Sequence, residues 1–138
     1  FGGATLARAR LAQAVLRACR FVDASLEDGD GSSAKLLDCD FRKAQLDGIK
    51  LWKADLARSQ FFYASMRGAQ FTAASLSGAD FTFADLPEAR FSEANLVGTN
   101  LSRANLAGAR EMTARQLGVA RTDFDTIGPD SGRRPGFP

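Results

Sequence analysis

Three groups of residues have types and spacings that fit recognisable chemistry. Asp28, Asp30 and Ser32, within Glu27-Asp28-Gly29-Asp30-Gly31-Ser32-Ser33, alternate as the oxygen donors of a calcium loop do. The glycine and distal glutamate that would complete an EF-hand are missing, so the run reads as a turn-rich loop. Cys19 and Cys39 stand twenty residues apart, as a disulfide or as two free thiols. Arg10, Lys50, Arg90 and Arg110 are separated by multiples of twenty and form a basic stripe with anion-binding chemistry, diluted by Asp30, Gln70 and Glu93. Against all three, the 138 residues include no histidine, which removes the catalytic triads, the usual zinc sites and the commonest general base. Carboxylate-only or Ser/Lys chemistry survives formally, but no phosphate-binding glycine motif precedes a helix. The reading is a protein that is not an enzyme, with no catalytic residue, cofactor or metal.

What must position these residues is a repeat. Positions 1, 6, 11 and onward to 106 make 22 slots, of which thirteen hold Leu, seven Phe and one Met66; Gly31 alone breaks the rule. The residues from 4 to 109 at the same interval are small: sixteen are Ala, with Cys19, Cys39, Gly29, Ser59 and Thr99 among the rest, and only Ile49 is bulky. A period of five suits neither a helix, where five steps rotate by roughly 140°, nor a flat strand, where an odd interval changes face. Each pentad must therefore be a short extended piece followed by a corner. Phe21, Phe41, Phe61 and Phe81 form one ladder at intervals of twenty, with Phe1 below and Leu101 above. Leu16, Leu36, Leu56, Leu76 and Leu96 form another. Four pentads thus close one coil, and coils stack at about 4.8 Å. Five and a half coils give a rod roughly 26 Å long at that spacing.

Segments such as Ala54-Asp55-Leu56, Ala79-Asp80-Phe81, Ala84-Asp85-Leu86, Ala94-Asn95-Leu96 and Ala104-Asn105-Leu106 resemble the A(D/N)LXX unit of the pentapeptide-repeat proteins. The resemblance covers nearly all of residues 1–110. It implies an all-β solenoid, a right-handed quadrilateral β-helix without a central channel. It implies little about activity, since members do different things.

The expected organisation is a β-helix over 1–110 with a bulge at 27–33, a short α-helical cap over 111–121 and an irregular tail over 122–138. In the bulge, Phe21 is left facing Gly31, and Ile49, one coil above Gly29, fills the vacancy. Stacked Cys19 and Cys39 lie slightly too far apart for an unstrained disulfide and read as small buried thiols. Asp40, Asp55, Asp80, Asp85, Asn95, Asn100 and Asn105 sit beside corners, where their side chains bond nearby backbone. Glu111 occupies the next large slot and stops the core. Thr113-Ala114-Arg115-Gln116 has the form of a capping box, with Met112, Leu117 and Val119 lying over the open end.

Outward positions carry the information on partners. Phe62, Tyr63 and Phe83 form an aromatic patch on the Phe-ladder side, with Val22, Arg42 and Lys43 below; Trp52 faces out opposite, near Lys50 and Lys53. Such a patch marks a docking or self-association surface, or stiffens the coil from outside. Net charge is +2, with 14 basic and 12 acidic residues up to Arg110 and four of each after it. That balance argues against a nucleic-acid partner and against an acidic DNA mimic. No apolar run approaches membrane-spanning length and no signal peptide is visible, which points to a bacterial cytoplasmic protein. The chain begins in phase with the repeat and without Met, as a fragment or excised domain would. The leading expectation is a rigid, non-catalytic interaction or scaffold module with an unidentified protein partner, self-associating through rod ends or the patch. The alternatives are a topoisomerase modulator, since some family members protect gyrase by imitating DNA, and a structural stalk. The gyrase-protecting members are strongly acidic rods paired through C-terminal helices, from which this chain departs in charge.

Overall fold

The same local event recurs in all the pentads but two, those that begin at Leu16 and Leu36. The large residue's carbonyl accepts the N–H of the residue three places on, as Phe61 O does from Ala64 N at 2.9 Å, closing a turn. One residue then bridges to the coils on either side before the next turn begins. A computed structural model describes residues 1–130 of the chain. The final stretch, 131–138, with Arg133-Arg134-Pro135 of the expected tail, lies outside the described residues.

Bridging residues pair in parallel at intervals of twenty, so that Asp40, Gln60, Asp80 and Asn100 form one column and Lys35, Asp55, Ser75 and Asn95 another. The ladder uses both backbone groups: Leu56 N donates to Ser75 O at 2.8 Å, and Ser75 N donates to Ala54 O at 2.9 Å. The extended piece is therefore a single bridging residue, and four sides are linked by four columns of turns.

The third residue of all 22 turns has a left-handed backbone, with φ between +51° and +70°. Only six of these residues are glycine; the other sixteen hold a conformation that L-residues avoid by roughly 1–2 kcal/mol. Ala73 is the simplest case, at φ +56°. Ala73→Gly should stabilise the protein by about 0.5–1 kcal/mol. The reverse change, Gly68→Ala, places a Cβ in open space yet should destabilise by about 1 kcal/mol through its φ of +65° alone. Urea-unfolding midpoints of the two variants check the pair, and a loss of stability in Ala73→Gly contradicts it.

The interior is two kinds of column. The Phe rings at 1, 21, 41, 61 and 81 stack face to face with centroids 4.9, 4.8, 5.0 and 4.6 Å apart. Leu36, Leu56, Leu76 and Leu96 are buried in another column, and alanines between the large residues let the four sides approach. Burying each large side chain is worth about 1.5–3 kcal/mol. Where Ser59 and Thr99 replace Ala, each hydroxyl donates to a carbonyl of the neighbouring coil, Leu36 O at 2.6 Å and Leu76 O at 2.7 Å. At the lower end of the stack Phe1 is 60% exposed.

The expected bulge at 27–33 is absent. Asp30 bridges both Arg10 and Lys50, and the turn and bridge pattern runs through 21–40 without interruption. Gly29 occupies a small slot and Gly31 a large one, so the run loses side-chain volume and keeps its path. The vacancy is filled differently from expectation. Leu51 Cδ2 stands 2.9 Å from where a Cβ on Gly31 would lie, and Leu36 Cδ1 4.0 Å. Ile49 is buried but is not among the atoms nearest either glycine.

The upper end is closed by the chain itself. Helix α1, Ala114–Val119, starts from Thr113, whose hydroxyl accepts the Gln116 N–H while the Gln116 side chain accepts the Thr113 N–H. Met112 and Leu117 pack against the core; Val119 does not cover it and is exposed. The tail is also more regular than expected. Arg121 bridges Asn100 and Ile127 bridges Asn105, adding two sides of a further coil. Buried Thr126 donates to Leu101 O at 3.0 Å beneath it.

Candidate functional site

Each turn projects its second and third residues outward, so one corner presents a vertical series of side chains. On the corner between the Ser65 and Gln60 columns, the series rises through Val22 and Asp23, Arg42 and Lys43, Phe62 and Tyr63, Thr82 and Phe83, then Ser102 and Arg103. The interior Phe column stands directly behind it.

The aromatic members touch. Tyr63 and Phe83 stack at 4.8 Å with planes 9° apart, the geometry of the interior Phe column repeated on the outside. Phe62 meets both edge-on, at 4.6 Å to Tyr63 and 5.6 Å to Phe83. The Arg103 guanidinium lies 5.2 Å over the Phe83 ring and closes the top of the series. This contact went unnoticed in the sequence, although position 103 is twenty beyond 83 and so stands over it. Tyr63 is 52% exposed. Val22, Arg42, Lys43, Phe62 and Tyr63 line a shallow groove of about 310 Å³.

The cations of the groove are not equivalent. Arg42 is held by Asp40, donating from Nε at 2.8 Å and from a terminal nitrogen at 2.7 Å. That hydrogen-bonded guanidinium keeps the Asp40 carboxyl below the ordinary carboxylate range. Lys43 has no ion-pair partner among the described residues.

Trp52 lies on the diagonally opposite corner, so the aromatic residues do not form one site. Its indole N–H donates to Gln70 Oε1 at 2.9 Å, and Lys50 Nζ stands 5.8 Å over the ring. Arg10, Lys50, Arg90 and Arg110 share one side in register, with Asp30 and Gln70 between them. Asp30 is occupied locally, accepting the Ser32 N–H at 3.0 Å, and its carboxyl is lowered by hydrogen bonds from Ser32 and by Lys50 and Arg10. Among the described residues, no three His, Cys, Asp or Glu side chains lie close enough to hold a metal ion. Both cysteines are free thiols; burial pushes the Cys39 thiol pKa up, and Cys39 Sγ donates to Leu16 O at 3.3 Å.

The sequence profile described as "Pentapeptide repeats" matches residues 1–30, 39–78 and 74–110 in eight copies. No curated protein sequence matches the chain. Among solved structures, HetL, a pentapeptide repeat protein involved in heterocyst differentiation regulation in the cyanobacterium Nostoc sp. strain PCC 7120, is 26% identical with a TM-score of 0.61; the match covers 95% of this chain and 62% of HetL. A pentapeptide repeat protein of the Arabidopsis thaliana thylakoid lumen is 37% identical with a TM-score of 0.52, over 63% of this chain and 55% of that one. The chain thus spans less than two thirds of the length of either protein.

Proposed function

Since the chain belongs to the pentapeptide-repeat family and folds as its right-handed quadrilateral β-helix, we propose that it is a non-catalytic module that docks a protein partner on the corner built by Phe62, Tyr63 and Phe83. The observation that carries this reading is the external stack itself. Three aromatic side chains are held in fixed mutual geometry on the outside of a rod whose interior is already filled. They are not needed to complete the core, and they are ordered before any partner arrives. Pre-ordered aromatic side chains beside arginine lose little conformational entropy on binding and dominate interface energetics. A filled solenoid has no central cavity for a substrate, and the groove on this corner is open and shallow.

Turn columns on the other corners carry mixed charges, including the exposed pairs Arg58–Asp38 and Arg67–Glu88. Nothing in them makes the continuous acidic face that imitation of DNA needs. The rigid rod fixes the height of each outward side chain at steps of about 4.8 Å, which suits a scaffold.

Quantitative capture of partners from a lysate of the source organism tests the reading. Phe62→Ser/Phe83→Ser should lower recovery of specific partners at least tenfold, as removal of two central aromatic contacts of ~1–2 kcal/mol or more each does. Trp52→Ser, on the opposite corner, should leave the same partners bound. An unchanged set of partners in the double variant removes this corner from consideration.

A further inference from the structure

The occupant of the aromatic corner can be specified from its chemistry. We infer that the groove takes an extended peptide segment carrying an acidic residue beside an apolar one, the acid at Lys43 and the apolar side chain on Phe62, Tyr63 and Val22. This rests on the docking reading above and narrows it.

Size decides against a second copy of the rod. From Val22 to Arg103 the corner is about 19 Å tall at strand spacing and two side chains wide. Two convex corners in contact bury far less than the roughly 800 Å² per partner that a stable pair requires. A groove of about 310 Å³ instead matches one or two side chains of a chain in extended form.

Charge sets the sign. Of the two cations lining the groove, Arg42 is consumed by a bidentate bond to Asp40. Lys43 is left as the free positive group. Asp23, directly below it in the corner, does not come within ion-pair distance.

The backbone supplies a third contact. In three coils of this corner an Asx side chain closes the N–H of the second turn residue: Asp40 for Arg42 at 3.1 Å, Asp80 for Thr82 at 2.9 Å and Asn100 for Ser102 at 3.1 Å. Gln60 breaks that series, and the Phe62 N–H has no acceptor among the described residues. The same holds for Val22, where Arg20 stands in the place of the Asx residue. These are the two apolar residues at the groove with an outward donor, and a peptide carbonyl is the neutral acceptor that fits between the Asp40 and Asp80 carboxylates. A free carboxylate at that height would face Asp80 one coil above with no cation beside it, so the acid belongs at Lys43, where Arg42 already neutralises Asp40.

Panning a random heptapeptide library against the wild-type protein, Lys43→Glu and Phe62→Ser/Phe83→Ser tests the assignment. Wild type should enrich Asp or Glu next to Leu, Ile or Phe by about two- to fivefold over input, the selectivity one solvent-exposed ion pair supplies. Lys43→Glu should abolish that preference or turn it toward Lys and Arg while keeping the apolar one. Enrichment that depends on Phe62 and Phe83 but ignores charge overturns this inference and leaves the docking reading standing. Enrichment that survives in the aromatic double variant, or none on wild type, overturns both.

Discussion

Phe61→Ala should destabilise the protein by about 3–5 kcal/mol, the range for removing a fully buried aromatic side chain. Phe61 is in the middle of the interior stack, 5.0 Å from the Phe41 ring and 4.6 Å from Phe81, and only 1% exposed. The coil cannot collapse into the gap, because its backbone is bonded upward and downward: Phe61 N donates to Asp80 O at 2.7 Å and Phe41 N donates to Gln60 O at 2.7 Å. The cost should therefore fall near the upper end of the range. A solenoid is stabilised by its nearest-neighbour coil interfaces. The variant is expected to weaken two of them and to broaden the urea transition as the coils on either side begin to melt separately. Phe62→Ala, one residue away but outward, should cost less, about 1–2 kcal/mol from its two edge-on ring contacts. Equal losses in the two variants would contradict the division between inside and outside.

Gln116→Leu should cost about 2–4 kcal/mol, from loss of a capping box and of hydrogen bonds to partly buried carbonyls. The side-chain amide of Gln116 donates to Phe91 O at 2.7 Å and to Ala94 O at 3.0 Å. On this side the coil has run out: no residue bridges Asn95 from above among the described residues. One side chain therefore fastens the helix to the edge and satisfies Ala94 O, which a bridging residue of the next coil would otherwise have met as Asn95 N meets Ala74 O. Arg115→Ala, in the same helix but exposed, should leave stability within about 0.5 kcal/mol of wild type. Thermal unfolding of the two variants separates an edge cap from an incidental helix. An exposed sheet edge also recruits other chains, so Gln116→Leu is further expected to form oligomers that wild type does not, visible by light scattering.

The solenoid was legible in the sequence because its determinant is strictly periodic. A large residue every five positions, with a small one two before it, has one economical packing, and the Phe and Leu ladders at intervals of twenty count the corners. Two segments were misread for opposite reasons. The run at 27–33 looks like an interruption since Gly31 deletes a large side chain, yet the backbone path depends on turns and bridges, and Leu51 leans in from the next coil. Arg121 and Ile127 look irregular since they fall 21 and 22 residues beyond their partners Asn100 and Asn105. The segment with the helix takes up one extra residue and the turn between Arg121 and Ile127 the other, so the phase that exposed the coil conceals its last two sides.

At the corner, the outward position of Phe62, Tyr63 and Phe83 followed from the repeat, as did the separate location of Trp52. The Arg103 contact and the free Phe62 N–H were encoded equally, the first by twenty-residue spacing and the second by Gln60 in an Asx column. Neither is a matter of residue type alone. Each depends on what stands one coil away, and that is visible only when the chain is read as columns.

Amide hydrogen exchange resolved by residue tests the central claim most directly, since Phe61 and Phe62 are adjacent in sequence and assigned opposite environments. The Phe61, Leu76 and Phe81 amides, each bonded to the coil above at 2.7–2.9 Å, should exchange only through global unfolding, while the Phe62 and Val22 amides exchange at nearly unprotected rates. A Phe62 amide as protected as that of Phe61 would place the corner residue inside the ladder and contradict both the coil geometry and the surface built on it.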